Sequence, residues 1–337
     1  MVSIKDIATL AGVSQSTVSK ALNDRSDVSE VTKRRIIEIV ERLNYTPHAF
    51  GKALKKKTSE NVGVIFCRYV RSLSGNPFYS RVLEGIEAEL AVNNYNLILQ
   101  IITESNKEEL PKMLRERQVD GLILVGTFRD GYLNRILDTG TNIVMVDYNR
   151  LIKDCSQVVI DNEHGAFQAI KHCIDMGHRR IGFISGDFSR VSFQQRFEGY
   201  RKALKMNDIP LDETIVRNDG LENGYEQVKY LVQERDIHCI FSANDLNAIH
   251  GYKAINEMNL RIPEDVSIIG FDDIDMARMA NPPLTTMRVY KEELGSIAVR
   301  ILLNLIQGNS VNNTTTIVPT RLIKRKSVYE LNKGARG

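Results

Sequence analysis

Seven apolar runs that alternate with amphipathic segments constrain the fold of residues 61–273 more than any other feature. Runs of Val, Ile and Leu bounded by turn residues are typical of strands buried on both faces of a parallel sheet. Parallel strands need long crossover connections, which helices usually supply. The pattern therefore predicts an α/β fold with two doubly wound lobes. The runs form two series, at 61–66, 96–102, 121–126 and 142–147 and then at 180–186, 239–244 and 267–273.

The chain is predicted to pass between the two lobes near 159–162 and again near 285–290. Residues 292–308 are then expected to return to the first lobe as a helix, and residues 320–328 to end in or beside the second. The predicted domains are a helical headpiece at 1–46, a hinge helix and linker at 47–58 and a core at 59–329. Within the core, lobe one covers about 61–160 and 290–317, and lobe two covers about 161–288 and 318–329.

Positive charge is concentrated near the N-terminus of a chain whose net charge is only +3. Residues 1–60 contain eleven Lys or Arg and seven Asp or Glu, whereas the remaining residues have a net charge of −1. A local basic excess of this kind is typical of a nucleic-acid contact.

The cysteines and the apolar segments limit the cellular setting. Cys67, Cys155, Cys173 and Cys239 have no paired spacing, so neither a zinc site nor a disulfide framework is expected. No stretch approaches the roughly 20 apolar residues that span a bilayer, and the first ten residues lack a long apolar core. We therefore expect a cytoplasmic protein that has no membrane, metal or cofactor partner.

The first two predicted helices form a helix-turn-helix. Ser3 and Asp6 have the spacing of a capping box. Gly12 can adopt the positive φ of a tight turn, and Ser14 is placed to cap a second helix over about 15–23. The motif needs a small residue for the helix crossing, a glycine for the turn and a branched apolar residue as the anchor. These three are Ala8, Gly12 and Val18.

The second helix begins with short polar side chains, which a recognition helix presents to base edges in a major groove. Gln15 and Ser16 are the predicted base contacts. Thr17 and Ser19 are predicted to hold phosphates, and Lys20 to contact a phosphate or a guanine. An ordinary amphipathic hairpin with a polar outer face is the alternative.

A third helix over about 30–44, capped by Ser29, is expected to close the headpiece core. Thr46 and Pro47 then have the cap and first-turn signals of a short fourth helix. A helix of that length is marginal in water, so we expect it to form only on DNA, with Leu54 as a minor-groove wedge. A flexible linker followed by a run of lysines explains this segment equally well. The apolar residues assigned to the core by the third helix are Val31, Ile36, Ile37, Ile39, Val40 and Leu43.

Residues 3–57 resemble the DNA-binding headpiece of the LacI/GalR family of bacterial transcriptional regulators. The matching segments are "IKDIATLAGVSQSTVSKALN", "VSEVTKRRI" and "RLNYTPHAFGKAL". The resemblance implies that a homodimer binds a pseudo-palindromic operator in double-stranded DNA, with Gln15, Ser16 and Lys20 in the major groove and Leu54 in the minor groove. The sequence departs from the family at Gly51, where alanine is usual, and this lowers helix propensity by roughly 1 kcal/mol. Further predicted DNA contacts are Ser14, Asn23, His48, Lys52 and Lys55.

Polar side chains follow the predicted strands at the sheet edge where ligands bind in such folds. Asp147, Asn244 and Asp272 end three of the runs, and Arg196 lies in the helix after the run at 180–186. Two carboxylates, a carboxamide and a guanidinium suit the vicinal hydroxyls of a polyhydroxylated ligand. Each of them could also cap a helix or close a loop, and a structural role of this kind is preferred for Asp245 and Asp273.

The resemblance extends to about Ser327, over segments such as "NPFY", "VDGLILVG", "RFEGYRKAL" and "RIPEDVSIIGFDD". It implies an effector-binding core similar to periplasmic sugar-binding proteins. Family members often place an aromatic ring in the segment that corresponds to 217–225, but this sequence has Gly220 and Leu221 there, which disfavours a purine unless Phe188 or Phe193 substitutes. Arg68 and Arg71 leave an acidic or phosphorylated sugar open, but a solvated loop is the favoured interpretation of this segment. The implied effector contacts are Phe78, Asp147, Arg190, Ser192, Phe193, Arg196, Asn244 and Asp272.

Three classes of function follow from these features. The first is a repressor of carbohydrate utilisation genes that is controlled by a small sugar-like effector. The second is a catabolite-control-type regulator whose main co-regulator is a phosphocarrier protein. An enzyme is not expected, because the sequence lacks a dinucleotide fingerprint, a P-loop, a nucleophile elbow and clustered histidines.

Overall fold

The computed structural model divides into two compact units, Met1–Ser59 and Glu60–Gly337. Within the described ranges, no helix is both long and apolar enough to cross a membrane. The description covers the whole chain except residues 1–2, 23–24, 26, 44–57, 68–72, 103–108, 149, 151, 153–154, 219–222, 310–312 and 332–337.

The described part of the first unit contains three helices, α1 (Ile4–Ala11), α2 (Gln15–Leu22) and α3 (Glu30–Arg42). The predicted capping box is confirmed, because the Ser3 hydroxyl accepts from the Asp6 amide while the Asp6 carboxylate accepts from the Ser3 amide. Gly12 has a φ of 65°, the left-handed conformation that the turn requires. The predicted helix-turn-helix is therefore present.

The three helices pack around Ile7, Val18 and Ile36, which are fully buried. The prediction was wrong for Val31 and Ile37, whose exposed fractions are 80% and 43%. At 3.6 residues per turn, Ile37 is rotated by about 100° from Ile36, and Val31 precedes Ile36 by more than one turn on a different side of the helix. The hinge helix, predicted to start at Pro47, lies outside the described residues through position 57.

The second unit contains two six-stranded sheets, one in each predicted lobe. The first sheet is parallel throughout and has the order β2-β1-β3-β4-β5-β11. Its strands are β1 (Asn61–Cys67), β2 (Asn96–Ile102), β3 (Gly121–Val125), β4 (Asn142–Val146), β5 (Ser156–Ile160) and β11 (Thr315–Val318).

The second sheet has the corresponding order β7-β6-β8-β9-β10-β12, and only β12 runs antiparallel to its neighbour. All seven apolar runs of the sequence are strands. Five further strands were not predicted, because β7 has two residues and the others are short or rich in Thr and Ser. The strands of this sheet are β6 (Gly182–Ile184), β7 (Val216–Arg217), β8 (Cys239–Ser242), β9 (Ser267–Asp272), β10 (Thr285–Val289) and β12 (Thr320–Ile323).

Helices cover both sheets and complete the doubly wound arrangement. On the first lobe they are α4 (Tyr79–Val92), α5 (Lys112–Arg115), α6 (Asp130–Leu137) and α12 (Lys291–Ile306). On the second lobe they are α7 (Asn162–Asp175), α8 (Val191–Met206), α9 (Gly224–Arg235), α10 (Asp245–Glu257) and α11 (Asp275–Met279).

The chain crosses between the lobes three times in the described residues. The crossings lie between β5 and α7, between β10 and α12, and between β11 and β12. In both sheets the strand order reverses beside the first strand, β1 or β6, so the carboxyl ends of the strands border the crevice where ligands bind in such folds.

Glycines allow the closest helix crossing in lobe one. A Cβ added to Gly85 of α4 would overlap the backbone of Glu292, and one added to Gly295 of α12 would overlap the Val82 carbonyl. The two helices therefore approach each other at backbone distance from both sides. This contact fixes α12, which enters lobe one directly after the second crossing.

We predict that Gly85→Ala lowers the free energy of unfolding by about 1–3 kcal/mol, the usual cost of overpacking. The matched control is Gly131→Ala in α6, where an added Cβ meets nothing within 4 Å and alanine should be neutral or slightly stabilising. Chemical denaturation of both variants measures the difference. Equal stabilities would contradict the close crossing.

Candidate functional site

Asp147 and two aromatic rings form the lobe-one side of the crevice. Asp147 directly follows β4 with a φ of 57°, and its Oδ2 accepts a 3.0 Å hydrogen bond from the Tyr79 hydroxyl. Phe78 packs edge-on against Tyr79 with ring centroids 5.2 Å apart. The Asn76 side chain accepts from the amides of both aromatic residues, which orients the start of α4. A carboxylate and an aromatic pair therefore lie at the carboxyl edge of the first sheet.

Arg196 and Asp272 form the lobe-two side. Arg196 is 4% exposed and Asp272 is 8% exposed, and the Nη1 of Arg196 lies 3.2 Å from the Oδ1 of Asp272. The Nε of Arg196 donates to Asn162 at 2.8 Å, and its Nη1 also donates to the Ala243 carbonyl. The guanidinium stacks over Phe271, 3.8 Å from the ring centroid. These contacts fix Arg196 in one orientation.

One buried carboxylate oxygen of the site, the Oδ1 of Asp272, lacks an aligned donor in the described part of the chain. It is buried, and no donor among the described residues makes a well-aligned hydrogen bond to it, although Arg196 is within ion-pair distance. A buried acceptor that lacks an aligned donor costs free energy.

Electrostatic interactions connect charged groups on the two sides of the crevice. Burial raises the pKa of Asp272 to about 6, against the opposing effect of Arg196 and Lys291, and repulsion from Asp147 adds to the increase. Burial also raises the pKa of Tyr79 well above its usual value. Asp147 and Asp272 raise the pKa of Tyr79 further, whereas Arg190 lowers it. Groups from both lobes therefore converge on one polar cleft.

Three polar residues near this cleft serve the fold. The side chain of Asn244 caps α10 by accepting from the Asn247 amide at 2.8 Å. Asp245 accepts from the Thr286 hydroxyl at 2.6 Å and from the Ile274 amide at 2.9 Å. Structural roles for Asp245 and for Asp273, which is described below, are confirmed. The predicted effector contact of Asn244 stays a prediction, with its Oδ1 already engaged.

The remaining predicted effector residues lie at the start of α8. Arg190 precedes the helix and Ser192 is in its first turn, and both are partly exposed. Phe193 is 5% exposed and packs in the apolar core, which leaves little ring surface for a ligand. Phe188 packs against Phe183 and Phe197. Effector contacts by these residues stay predictions, and Arg68, Arg71, Gly220 and Leu221 lie outside the described residues.

Sequence analysis missed Tyr79, Asn162 and Lys291. Tyr79 binds Asp147, Asn162 orients Arg196, and the buried Lys291 ammonium donates to the carbonyls of Asp272, Asp273 and Val289. The tyrosine next to Phe78 and the asparagine at the first crossing were visible in the sequence. Their partners are far away along the chain, so local patterns could not identify them.

The outer face of the headpiece is polar. Gln15 and Ser16 are exposed at the start of α2, and Thr17 and Ser19 are partly exposed. The Ser14 hydroxyl caps the helix by accepting from the Thr17 amide at 3.1 Å, as predicted.

Lys20 forms an exposed 2.7 Å ion pair with Asp27. Its ammonium must therefore exchange a carboxylate for a phosphate or a base before it can contact DNA. The other predicted DNA contacts, Asn23, His48, Lys52, Leu54 and Lys55, lie outside the described residues.

Two family models match the chain. Residues 3–48 match the bacterial regulatory proteins of the lacI family, and residues 170–328 match a periplasmic binding protein-like domain. The first match covers the helix-turn-helix unit, and the second covers most of the lobe that carries Arg196 and Asp272.

Full-length relatives agree with these matches. The chain is 33% identical to the ribose operon repressor of Haemophilus influenzae, over 98% of this chain and 100% of that protein. It is 31% identical to the transcriptional repressor PurR of Vibrio vulnificus, over 98% and 100% of the two chains. The Lac repressor dimer bound to operator and the anti-inducer ONPF superposes with a TM-score of 0.84 at 26% identity, over 97% of this chain and 99% of that chain.

The relatives are helix-turn-helix repressors and not enzymes, and their similarity covers both units of this chain. The predicted fold, a helical headpiece followed by two α/β lobes, is confirmed by the same comparisons. The protein is a DNA-binding transcriptional regulator that belongs to the lacI family of bacterial regulatory proteins.

Proposed function

We propose that the protein is a homodimeric repressor that binds a pseudo-palindromic operator through α2 and responds to a small sugar in the cleft between its lobes. The observation that carries the effector part is the buried Asp272 Oδ1, which lacks an aligned donor beside the fixed Arg196 guanidinium. The exposed polar start of α2 carries the DNA part.

The chemistry of the cleft favours a polyhydroxylated ligand. Asp147 and Asp272 place carboxylate acceptors on opposite lobes, and the Arg190 guanidinium lies near enough to lower the pKa of Tyr79. Vicinal hydroxyls both donate and accept, so a sugar can bridge two carboxylates and a guanidinium at once. One relative is named a ribose operon repressor, which fits a regulator of sugar utilisation. PurR is a relative too, so purine bases form the comparison set in the effector test.

Binding in this cleft provides a route to regulation. A ligand held by Asp147 and Asp272 binds most tightly when the two lobes close on it, so it stabilises one arrangement of the lobes over others. The ratio of the ligand's affinities for the two arrangements limits how far the ligand can change operator affinity. The three crossings are the segments that must accommodate the motion.

We predict that Gln15→Ala and Ser16→Ala each lower operator affinity by about 1–3 kcal/mol and relax the preference at one base position of each half-site, because each removes a hydrogen bond to a base edge. The measurement is selection from a random duplex library followed by titration of the selected operator. Thr9→Ala, on the exposed side of α1, is the matched control and should keep the preference of the unmodified protein. Unchanged base preference in both α2 variants would contradict the assignment.

We predict that Lys20→Ala reduces the slope of log K against log salt by about 1, because one phosphate contact is lost. Titrations of the selected operator at several salt concentrations measure this slope. An unchanged slope would mean that Lys20 remains paired with Asp27 in the complex.

We predict that sugar affinity falls as the pH drops below about 6, because protonation of Asp272 removes the acceptor that the ligand uses. Well below this pH the loss approaches tenfold per unit. Calorimetric titration between pH 5 and pH 8 measures it, with the ligand identified by a thermal-shift screen of sugars, sugar acids and purines. Asp272→Asn should bind weakly at every pH, and the exposed Asp208→Asn control should follow the unmodified protein. A flat profile for the unmodified protein would contradict this role.

The same group affects the ligand-free protein in the opposite sense. The native Asp272 binds a proton more readily than the unfolded chain, whose aspartates titrate near 3.8. The free-energy cost of burying the ionised carboxylate is therefore absent below about pH 4, increases between about pH 4 and pH 6, and is complete above about pH 6. We predict that the melting temperature of Asp272→Asn, relative to that of the unmodified protein, rises between pH 4 and pH 7, whatever the cost of leaving Arg196 without this partner. A difference that stays constant or falls over this range would contradict the prediction.

A further inference from the structure

A second cavity, of about 380 Å³, lies along the boundary between the lobes, beside the crossing from β10 to α12. Pro77 and Arg81 line it from lobe one, and the segment from Asp273 to Arg278 lines it from lobe two. Its volume lies within the usual range of small-molecule sites. The basic side chains around it are Arg81, Arg278, Arg288, Lys291 and Arg325.

The side chains that line the cavity carry more positive than negative charge. Against five basic residues there are three acidic ones, Asp273, Asp275 and Glu292. The Lys291 ammonium is buried, and its three hydrogen bonds all go to backbone carbonyls, so no carboxylate in the described residues forms an ion pair with it. The cavity therefore has a net charge of about +2 before any ligand enters.

Two guanidinium groups retain donors for a ligand. Arg288 binds Asp273 through Nε at 2.6 Å, and its two Nη atoms have no partner among the described residues. Its side chain is 42% exposed. Arg278 lies only within ion-pair distance of Asp275, at 3.6 Å, and is 73% exposed. Arg325, by contrast, is fully engaged with Asp273 and the Leu284 carbonyl.

This cavity is chemically different from the cleft that contains Asp272. The Asp272 side chain faces Arg196, whereas the side chain of the next residue, Asp273, faces Arg288 and Arg325. In the cleft, two carboxylates, Asp147 and Asp272, accompany the guanidinium of Arg196, and this mixture suits hydroxyl groups. In the cavity the guanidinium donors exceed the carboxylates, which suits an anion.

We propose that this cavity binds a phosphate monoester, such as a sugar phosphate, as a second effector. Arginine forks match phosphate oxygens in bidentate geometry. A monoester dianion also balances the net charge of the wall. The regulatory part of this inference rests on the proposed function, because it assumes that the position of the lobes controls operator binding.

The cavity has contacts that make a ligand in it sensitive to lobe position. Arg81 of lobe one donates to Asp275 of lobe two at 2.6 Å and also pairs with Glu84. The Arg81–Asp275 ion pair spans the two lobes at the cavity wall. An anion held by Arg278 and Arg288 competes for the same charges, so it changes the balance of contacts between the lobes.

The test is calorimetric titration of the full chain with glucose 6-phosphate, inorganic phosphate and glucose. We expect heat of binding from glucose 6-phosphate and weaker binding of inorganic phosphate. Arg288→Gln and Arg278→Gln should each weaken glucose 6-phosphate binding at least tenfold, and Arg288→Lys should retain part of it. Arg300→Gln, an exposed arginine of α12 that pairs with Glu89, is the matched control and should bind normally.

Several results would overturn the proposal. They are the absence of binding of either phosphate compound at millimolar concentration, unchanged binding in both Gln variants, and loss of glucose 6-phosphate binding in Asp272→Asn, which would locate the ligand in the cleft. Arg278 is exposed, so its variant keeps the test valid if Arg288→Gln fails to fold. Operator binding is measured in a separate experiment. Failure of the phosphate-binding proposal would therefore leave the DNA-binding proposal intact, and the two failures can be told apart.

Discussion

The effector cleft depends on the fixed position of the Arg196 guanidinium. Asn162, the Ala243 carbonyl, the Phe271 ring and Asp272 hold this group in place, and they come from the first crossing and from the ends of two strands. A buried guanidinium in one orientation provides a charge that a ligand meets without reorganisation. The same burial raises the pKa of Asp272 and leaves its Oδ1 without an aligned donor. The stability of this part of lobe two and its affinity for a ligand therefore depend on the same few contacts.

The connection between the lobes extends these contacts to the whole core. Lys291 is the first residue of α12, and its ammonium donates to the backbone carbonyls of Asp272, the last residue of β9, and of Asp273. These hydrogen bonds attach the second crossing to the end of β9. The glycine crossing then packs α12 directly against α4, the helix that begins at Tyr79. The contacts of Lys291 therefore connect the end of the lobe-two strand β9 to two helices of lobe one.

Sequence patterns predicted seven of the described strands because each of these seven is a continuous apolar run with a turn at its end. The headpiece followed from Ser3, Gly12 and Ser14, whose local roles need no distant partner. The errors arose where position depends on helix phase, as for Val31 and Ile37, or on contacts from other elements. Asp147, Arg196 and Asp272 were found because strand ends converge in parallel sheets, whereas Tyr79, Asn162 and Lys291 act through partners that only the folded chain brings near.

The most direct test of the account is the coupling between the cleft and DNA. Operator affinity of the full chain is measured with and without the sugar that raises its melting temperature most. The account predicts a change of about 5–150-fold, the range of typical coupling free energies, and predicts that Asp147→Asn combined with Asp272→Asn abolishes the change while operator binding persists. Saturating sugar binding with no change in operator affinity would contradict the central claim.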